Sequence, residues 1–195
     1  MIPLAAFAET TRLGALGGDA AATVAHLASH QTSFRFAVAA FSAIVALDVI
    51  VAGALADVLT PAHPQLARLS AYARLAYAAM LGAALPTPLT AVDVARTDRT
   101  DVAALASDAL AAFARTWSLA LGLFGVHLAL VGAAILHASY VPRWLGWLVI
   151  VAGVGYAADS VTTTLGHPTQ LVTFAFIGEV ILMVWLLAKG RAAVP

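Results

Sequence analysis

Five acidic, basic or histidine side chains lie well inside long apolar stretches of this chain, away from their ends, where charge is costly. They are Asp48, Arg74, His127, Asp159 and Glu179. A charged residue in the middle of a membrane helix costs about 2.5–3.5 kcal/mol on insertion scales, so it normally faces other helices and finds a partner there. At such depth, acids, a base and an imidazole can form ion pairs, carry protons or hold a ligand. These five residues are therefore the candidate functional residues.

The composition indicates a membrane protein. Of the 195 residues, 62% are hydrophobic and only 10% are charged. An average soluble domain carries about 25% charged residues, so this chain has too few to cover a globule with a solvated surface. Ten basic and ten acidic residues cancel, and nothing in this balance favours a nucleic acid as partner. Because cysteine is absent, disulfides, thiolate metal sites and iron–sulfur clusters are excluded.

Five apolar runs are each long enough to cross a bilayer as a helix, which takes about 20 residues. Prolines, glycines or charged residues bound each run. The predicted spans lie near 34–59, 66–85, 116–138, 143–165 and 169–188. Residues 1–9 are predicted to be the remnant of a first span, and residues 10–33 an extramembrane loop that contains a helical stretch. We therefore expect an all-α polytopic bundle, a single domain over 1–195 with five full spans and a partial first span.

Local sequence features set the limits of the second and third runs. The PTP tripeptide at 86–88 predicts the end of the second span. The third run covers 101–139, about 58 Å of helix, which is roughly twice the hydrocarbon thickness. Its first part carries Asp108 and Arg115, so we place that part outside the hydrocarbon, with Asp101 as a helix N-cap.

The orientation is read from one short turn, because the basic residues tie between the two sides of the membrane. The turn at 139–144 carries Arg143 beside Trp144, with Trp147 on the next turn. This combination is typical of a membrane interface. Together with Lys189 it places the C-terminus on the cytoplasmic side of a bacterial cell membrane.

Depth in the membrane can be counted from the turns that join the runs. The count places Asp48 and Arg74 within about 5 Å of each other in depth. It places Asp159 roughly one helical turn from both His127 and Glu179. All five side chains can therefore share one layer near mid-membrane.

Two interpretations of this layer stay open. In the structural one, Asp48 and Arg74 form a buried ion pair and the other three residues make interhelical hydrogen bonds, which contribute more to specificity than to stability. In the other, the layer is a proton-linked or ligand-binding site.

Metal binding is the weaker alternative for these residues. One imidazole and two carboxylates, from His127, Asp159 and Glu179, suit several divalent ions. In HLASH, His26 and His30 stand at i and i+4, which is ligand spacing on a helix. No acid lies between them as in a zinc protease motif, so two exposed loop histidines are the favoured interpretation. The sequence indicates no particular cofactor.

Small residues recur at helical spacing on the third span, where they let helices approach closely. They are Ser118, Gly122, Gly125, Ala129 and Ala133. Gly153 and Gly155 lie inside an apolar span without the strand and third glycine of a nucleotide loop, so they too are predicted to be packing positions.

Three functions follow from the layer of ionisable residues. The leading hypothesis is a non-enzymatic membrane protein that binds a small or lipidic ligand, or a partner helix in a homo- or hetero-oligomer. The second is a proton-coupled transporter of small solutes, in which Asp159 or Glu179 titrates and His127 or Arg74 tunes it. The third is a membrane-embedded enzyme, with or without a metal, that uses His127, Asp159 and Glu179.

The C-terminal half carries FGVHLALVGAAILHASYVPRWLGWLVIVAGVGYAADS and then GEVILMVWLLAKG. These segments resemble the bacterial membrane family catalogued as domain of unknown function 4386. The matching positions are His127, Tyr140, Pro142, Arg143, Leu145, Gly146, Gly155, Tyr156, Asp159, Ser160, Gly178, Glu179 and Leu186 to Gly190. Upstream, the segments GDAAAT, SFRFAVAA, ALDVIVAGAL and ARLAYAAML are similar more loosely.

The resemblance implies a six-helix membrane bundle. Family members begin with a complete first span, of which MIPLAAFAE resembles only the end, so we expect this chain to start late. The resemblance carries no activity with it. It does include His127, Asp159 and Glu179, which the depth count selects independently.

Overall fold

The structure, a computed structural model of the chain, describes residues 20–97, 99–167, 169 and 171–193. Every regular element in these ranges is an α-helix. The helices are α1 (Ala20–Ser29), α2 (Gln31–Leu59), α3 (Pro64–Ala84), α4 (Pro86–Val94), α5 (Val102–His137), α6 (Arg143–Thr164) and α7 (Leu171–Ala193). The all-α expectation is therefore confirmed for the described residues.

In the described ranges, four helical segments are long and apolar enough to cross a membrane. They are Gln31–Leu59, Pro64–Val94, Val102–His137 and Arg143–Thr164. Their length and hydropathy are those of a multi-pass membrane protein. The fifth predicted span, 169–188, overlaps helix α7, and the predicted remnant at 1–9 lies outside the described residues. The count of five full spans and a partial one stays a prediction.

Helix α3 ends at Ala84, just before the PTP tripeptide that was predicted to end the second span; where the membrane span itself ends stays a prediction. Helix α4 begins at Pro86, directly after α3, and Pro64–Val94 forms one candidate span. Leu85, between the two helices, keeps right-handed helical angles of φ −60° and ψ −28°. Proline is tolerated in the first turn of a helix because the N–H that it lacks would have no intrahelical partner there. The prolines therefore divide this segment without turning the chain back.

Helix α5 is continuous over 36 residues, from Val102 to His137. Asp101 stands immediately before it, and the Asp101 carbonyl accepts the N–H of Leu105 at 3.1 Å. The position predicted for the N-cap is thus confirmed. The Asp101 carboxylate accepts hydrogen bonds from Arg99 Nε at 2.8 Å and Nη2 at 2.9 Å. These bonds lower the pKa of Asp101, because they stabilise its ionised form.

The backbone groups into two compact units. Of the described residues, the first contains 20–47, 79–97 and 99–117, and the second contains 48–78, 118–167, 169 and 171–193. The described part of the first unit has a core in which helix α1 packs with parts of α2, α4 and α5. The residues of this core are Leu27, Phe34, Ala91, Val92, Ala95, Ala106 and Leu110. Part of the predicted loop at 10–33 is therefore helical and packed.

Helices α5 and α6, in the second unit, touch through their backbones. A Cβ atom added to Gly125 would lie 2.5 Å from the carbonyl oxygen of Gly153, and one added to Gly153 would lie 2.5 Å from the carbonyl oxygen of Gly125. About two turns away, a Cβ on Gly132 would lie 2.5 Å from the oxygen of Gly146. Real side chains do not fit at such distances. We call Gly125, Gly132, Gly146 and Gly153 the glycine seam; it confirms the packing interpretation of Gly125 and Gly153.

The turns at the two ends of α6 are defined by specific contacts. Before α6, Tyr140 donates from its hydroxyl to the carbonyl of Val58, which lies in the last turn of α2, where carbonyls lack an intrahelical donor. After α6, Gly166 has a φ of +84° and donates its N–H to Thr163 at 3.1 Å, while His167 donates to Thr162 at 2.8 Å. This pattern is a Schellman motif, in which glycine favours the left-handed conformation that closes the helix.

Candidate functional site

Arg74 of helix α3 is the centre of a buried polar group in the second unit. Its guanidinium donates to Asp48 Oδ1 of helix α2 through Nε at 3.0 Å and Nη2 at 2.5 Å. Arg74 is only 6% exposed and Asp48 only 1%. The ion pair predicted from the depths of these two residues is therefore present, and it is almost fully removed from solvent.

His127 of helix α5 accepts a third hydrogen bond from the same guanidinium. Arg74 Nη1 lies 3.0 Å from His127 Nε2, and His127 Nδ1 lies 2.8 Å from the carbonyl oxygen of Ser70. A carbonyl oxygen can only accept and a guanidinium can only donate. The proton of the imidazole must then be on Nδ1, with Nε2 as the acceptor. His127 is therefore held as the neutral tautomer, and both of its nitrogens are occupied.

Glu179 of helix α7 is the second carboxylate of this group. It interacts electrostatically with Arg74 and Asp48, and the hydroxyl of Tyr156 lies beside its carboxylate. Helix α7 comes close to α6 at this level, because a Cβ added to Gly178 would lie 3.0 Å from the Cβ of Ala152. The neighbouring glycine thus brings Glu179 up to helix α6.

Aromatic rings surround the guanidinium. Arg74 lies 5.3 Å from the centroid of the Phe124 ring, a distance typical of a cation–π contact. The ring of Phe124 also contacts Tyr77, with centroids 5.0 Å apart, and Tyr156, with centroids 5.6 Å apart. Tyr77 also interacts electrostatically with Asp48 and Arg74. The walls of the site are therefore aromatic and its interior is charged.

Two carboxylate oxygens in this group have no hydrogen-bond partner. Asp48 Oδ2 and Glu179 Oε1 are both buried and accept no hydrogen bond from any described residue. A buried acceptor without a donor costs about 1–3 kcal/mol. We call Asp48, Arg74, His127 and Glu179 the polar cluster. Its carboxylates have acceptor capacity that the described side chains do not use.

Asp159 is not part of the polar cluster. Its carboxylate accepts a hydrogen bond from the hydroxyl of Thr169, in the segment that follows α6. Among the described residues, Asp159 forms no hydrogen bond or ion pair with His127 or Glu179. His127, Asp159 and Glu179, which were predicted to lie together, are therefore not one group. Glu179 lies near Arg74 and Asp48, and Asp159 lies at the turn that follows α6.

His26 and His30 lie at the junction of α1 and α2, in the first unit. Their rings are stacked, with centroids 4.3 Å apart, and His30 Nδ1 contacts Ser29 Oγ at 2.9 Å. Stacked rings do not direct their nitrogens at a common point. Within the described ranges, no three His, Cys, Asp or Glu side chains are close enough together to hold a metal ion.

The sequence did not predict the contribution of Tyr77, Phe124 and the Ser70 carbonyl. Aromatic residues in an apolar run are indistinguishable from packing residues, and a backbone carbonyl has no sequence signal. One signal for Tyr77 was available: it follows Arg74 by three residues, so the two lie on the same face of α3.

Comparison with known proteins gives the family. The sequence pattern of the family described as a domain of unknown function (DUF4386) matches residues 1–190. The chain belongs to the DUF4386 family. It is also similar to an uncharacterized protein from the archaeon Archaeoglobus fulgidus, with 32% identity over 148 residues, or 76% of this chain and 80% of that protein. Relatives therefore occur outside bacteria. No solved structure matches the chain.

Several DUF4386 motif positions of this chain now have a structural explanation. His127 and Glu179 lie in the polar cluster, and Tyr140 caps α2. Gly146 lies in the glycine seam, while a Cβ on Gly122 would meet the Oγ of Ser160 at 2.6 Å. The motifs therefore describe one cluster and the helix contacts around it.

Proposed function

We propose that the chain is a non-enzymatic integral membrane protein that binds a small or lipidic ligand at the polar cluster. The observation that carries this proposal is the pair of buried, unpartnered oxygens, Asp48 Oδ2 and Glu179 Oε1. An ion pair kept only to fix helix packing has no need of a second carboxylate beside it. A ligand that supplies donors to these oxygens offsets the cost of burying them.

The hydrogen bonds of the two ring nitrogens of His127 favour a binding function over a catalytic one. A general base needs a free lone pair, and a metal ligand needs one as well. In His127 the Nε2 lone pair accepts from Arg74 and the Nδ1 proton is donated to Ser70. The imidazole therefore positions the guanidinium and is not available for either chemical role. This supports the non-enzymatic interpretation over a membrane-embedded enzyme.

The proposed topology has five full spans, with α7 as the fifth. We place the chain in the cytoplasmic membrane with its C-terminus inside, as the turn with Arg143 and the two tryptophans suggests. Trp144 and Trp147 are 57% and 59% exposed, which suits residues at a membrane interface.

Native mass spectrometry of the full chain in lipid nanodiscs tests the binding proposal. Wild-type protein purified from cell membranes is expected to release a bound small molecule or lipid that Glu179→Gln does not retain. Asp159→Asn is the matched control, because that carboxylate lies outside the polar cluster; it should retain the molecule. Equal retention by wild type and Glu179→Gln, or release of nothing from wild type, contradicts the proposal.

Proton-coupled transport is the second candidate, because the polar cluster holds two carboxylates for one guanidinium. In this function Glu179 would carry the proton. Vesicles containing the reconstituted chain and a pH-sensitive dye inside should then show solute-driven proton flux that is lost in Glu179→Gln and kept in Asp159→Asn. Identical flux in vesicles with and without the protein argues against transport.

A further inference from the structure

We propose that Glu179 is an exchangeable cation site, which holds a proton in the resting protein and releases it when an ammonium group binds in its place. This rests on the proposed ligand-binding function and names the chemical class of the ligand. It starts from the balance of charges in the polar cluster.

The polar cluster has one more acidic group than basic group. Arg74 carries one positive charge, and Asp48 and Glu179 can each carry one negative charge. His127 is neutral, since its Nε2 accepts from Arg74 and its Nδ1 donates to Ser70. Within the part of the chain that the structure describes, no other basic side chain forms an ion pair with either acid. With both acids ionised, one negative charge remains without a counter-charge.

The geometry assigns the excess charge to Glu179. Asp48 Oδ1 accepts two N–H groups of the guanidinium, at 3.0 and 2.5 Å, so Asp48 is the carboxylate paired with Arg74. Glu179 forms no ion pair with Arg74 at the hydrogen-bond distances that Asp48 shows. Its Oε1 atom is buried without a hydrogen-bond donor. A carboxylate that has a buried oxygen and no counter-ion takes up a proton or a cation, because the uncompensated ion is costly in a medium of low dielectric constant.

The groups that face Glu179 come from three other helices. Helix α2 contributes Asp48, helix α3 contributes Arg74, and helix α6 contributes Tyr156. Tyr77, also on α3, interacts electrostatically with Glu179 as well. Of these, only Arg74 is positively charged, and its three side-chain hydrogen bonds go to Asp48 and His127. The surroundings therefore leave room for one added positive charge, and not for an anion.

An ammonium group fits this environment better than a hydrated inorganic ion. It brings N–H donors, which the unpartnered oxygens Asp48 Oδ2 and Glu179 Oε1 lack. The site also contains the aromatic residues Tyr77 and Tyr156, which contact Phe124, and aromatic rings attract organic cations. In the exchange, the O–H bond of the Glu179 carboxylic acid breaks, the proton passes to water, and the ammonium ion pairs with the resulting carboxylate. The total charge of the site does not change.

Infrared spectroscopy of the full chain in lipid tests the resting state. At neutral pH, wild-type protein that has been washed free of any bound molecule should show the carbonyl stretching band of a protonated carboxylic acid. The band should vanish in Glu179→Gln and persist in Asp159→Asn. Asp48→Asn provides a second test, because one carboxylate then matches one guanidinium, Glu179 should ionise against Arg74, and the band should vanish too. A wild type without the band, or a band that persists in Glu179→Gln, overturns the inference.

Proton release on ligand addition tests the exchange, with methylammonium chloride as the probe and sodium chloride as the comparison. In weakly buffered solution, methylammonium should release about one proton per chain from wild type and Asp159→Asn, and none from Glu179→Gln. Release by sodium alone, or no release by methylammonium, overturns the assignment to an ammonium group. If a molecule is retained through Glu179 in the nanodisc experiment but the infrared band is missing, this inference fails while the proposed function stands. If nothing is retained, the proposed function itself fails.

Discussion

The glycine seam and the polar cluster both join helices of the second unit. The seam joins them by close backbone contact, and the cluster joins them through charged side chains. In the seam, α5 and α6 approach until the oxygens of Gly125 and Gly153 occupy the space of a side chain. In the polar cluster, charged side chains fill the space between helices, and two oxygens remain unpartnered. Within lipid, close backbone packing is a main source of helix association, whereas buried ion pairs contribute little net stability. The seam is therefore suited to stability, and the cluster to specificity or binding.

Removing the guanidinium should have the largest effect on the cluster. Among the described residues, Arg74 is the cation paired with Asp48, so Arg74→Met leaves that carboxylate buried without a counter-charge, with Glu179 beside it. Breaking a buried pair in this way costs about 3–5 kcal/mol. The free energy of unfolding in mixed detergent micelles measures the loss. The double variant Arg74→Met/Asp48→Asn should lose less, because one uncompensated charge is gone. An equal or larger loss in the double variant would show that packing, and not charge, dominates.

The loss in Arg74→Met should also depend on pH. Without the guanidinium, the folded chain keeps protons on Asp48 and Glu179 that the unfolded chain, with ordinary carboxyl groups, releases above about pH 4. The folded state then binds more protons, so the stability of this variant falls as pH rises. Unfolding measured at mildly acidic and at neutral pH should show a smaller deficit at the acidic value. A deficit independent of pH contradicts the charge argument.

A single methyl group added in the glycine seam should lower the stability of the protein. Gly153→Ala places a Cβ 2.5 Å from the oxygen of Gly125, and overpacking of this kind costs about 1–3 kcal/mol. Gly53→Ala is the matched control, because nothing lies within 4 Å of its added Cβ; alanine there should be neutral or slightly stabilising. Thermal unfolding in detergent distinguishes the two variants. Equal behaviour would mean that α5 and α6 are not in backbone contact.

The sequence predicted the depth of a side chain in the membrane better than it predicted the direction in which that side chain points around its helix axis. Counting residues from the turns gives the height of a side chain, since each residue rises about 1.5 Å, and on this basis Asp48 and Arg74 were matched correctly. The count says nothing about rotation, so it grouped Asp159 with His127 although Asp159 hydrogen-bonds to Thr169 in the turn. The functional role of all these residues stays a prediction.

The prolines at 86–88 show a second limit of sequence patterns. Proline disfavours the interior of a helix but is accepted in its first turn, and the sequence alone does not say which position applies. Here Pro86 starts α4 immediately after α3. The limit is physical: the choice depends on what the following helix packs against, and in the first unit Ala91 and Val92 of α4 lie in the core.

Loss of the hydrogen bond between Tyr140 and α2 should have an intermediate effect on the free energy of unfolding. The size of this effect distinguishes a helix cap from a core packing contact. Tyr140→Phe removes the hydroxyl that donates to Val58 and leaves the ring. A net hydrogen bond contributes about 0.5–1.5 kcal/mol, so the free energy of unfolding should fall by about 1 kcal/mol. Binding at the polar cluster should not change. A loss as large as that of Gly153→Ala would place Tyr140 among the residues that determine packing.

The smallest effect is expected at an arginine and aspartate pair outside the cluster. Arg35 Nη2 lies 2.6 Å from Asp93 Oδ1, about as close as Arg74 is to Asp48, but the two side chains are 47% and 61% exposed. Water and salt screen an exposed pair, which is worth about 0–1 kcal/mol. Arg35→Met should therefore change the free energy of unfolding by less than about 1 kcal/mol, and less still at high salt, whereas the deficit of Arg74→Met should resist salt because that pair is buried. Similar losses in the free energy of unfolding for the two variants would mean that the membrane excludes water from Arg35 and Asp93 as it does from Arg74. The difference between exposed and buried charge would then no longer explain the behaviour of the polar cluster.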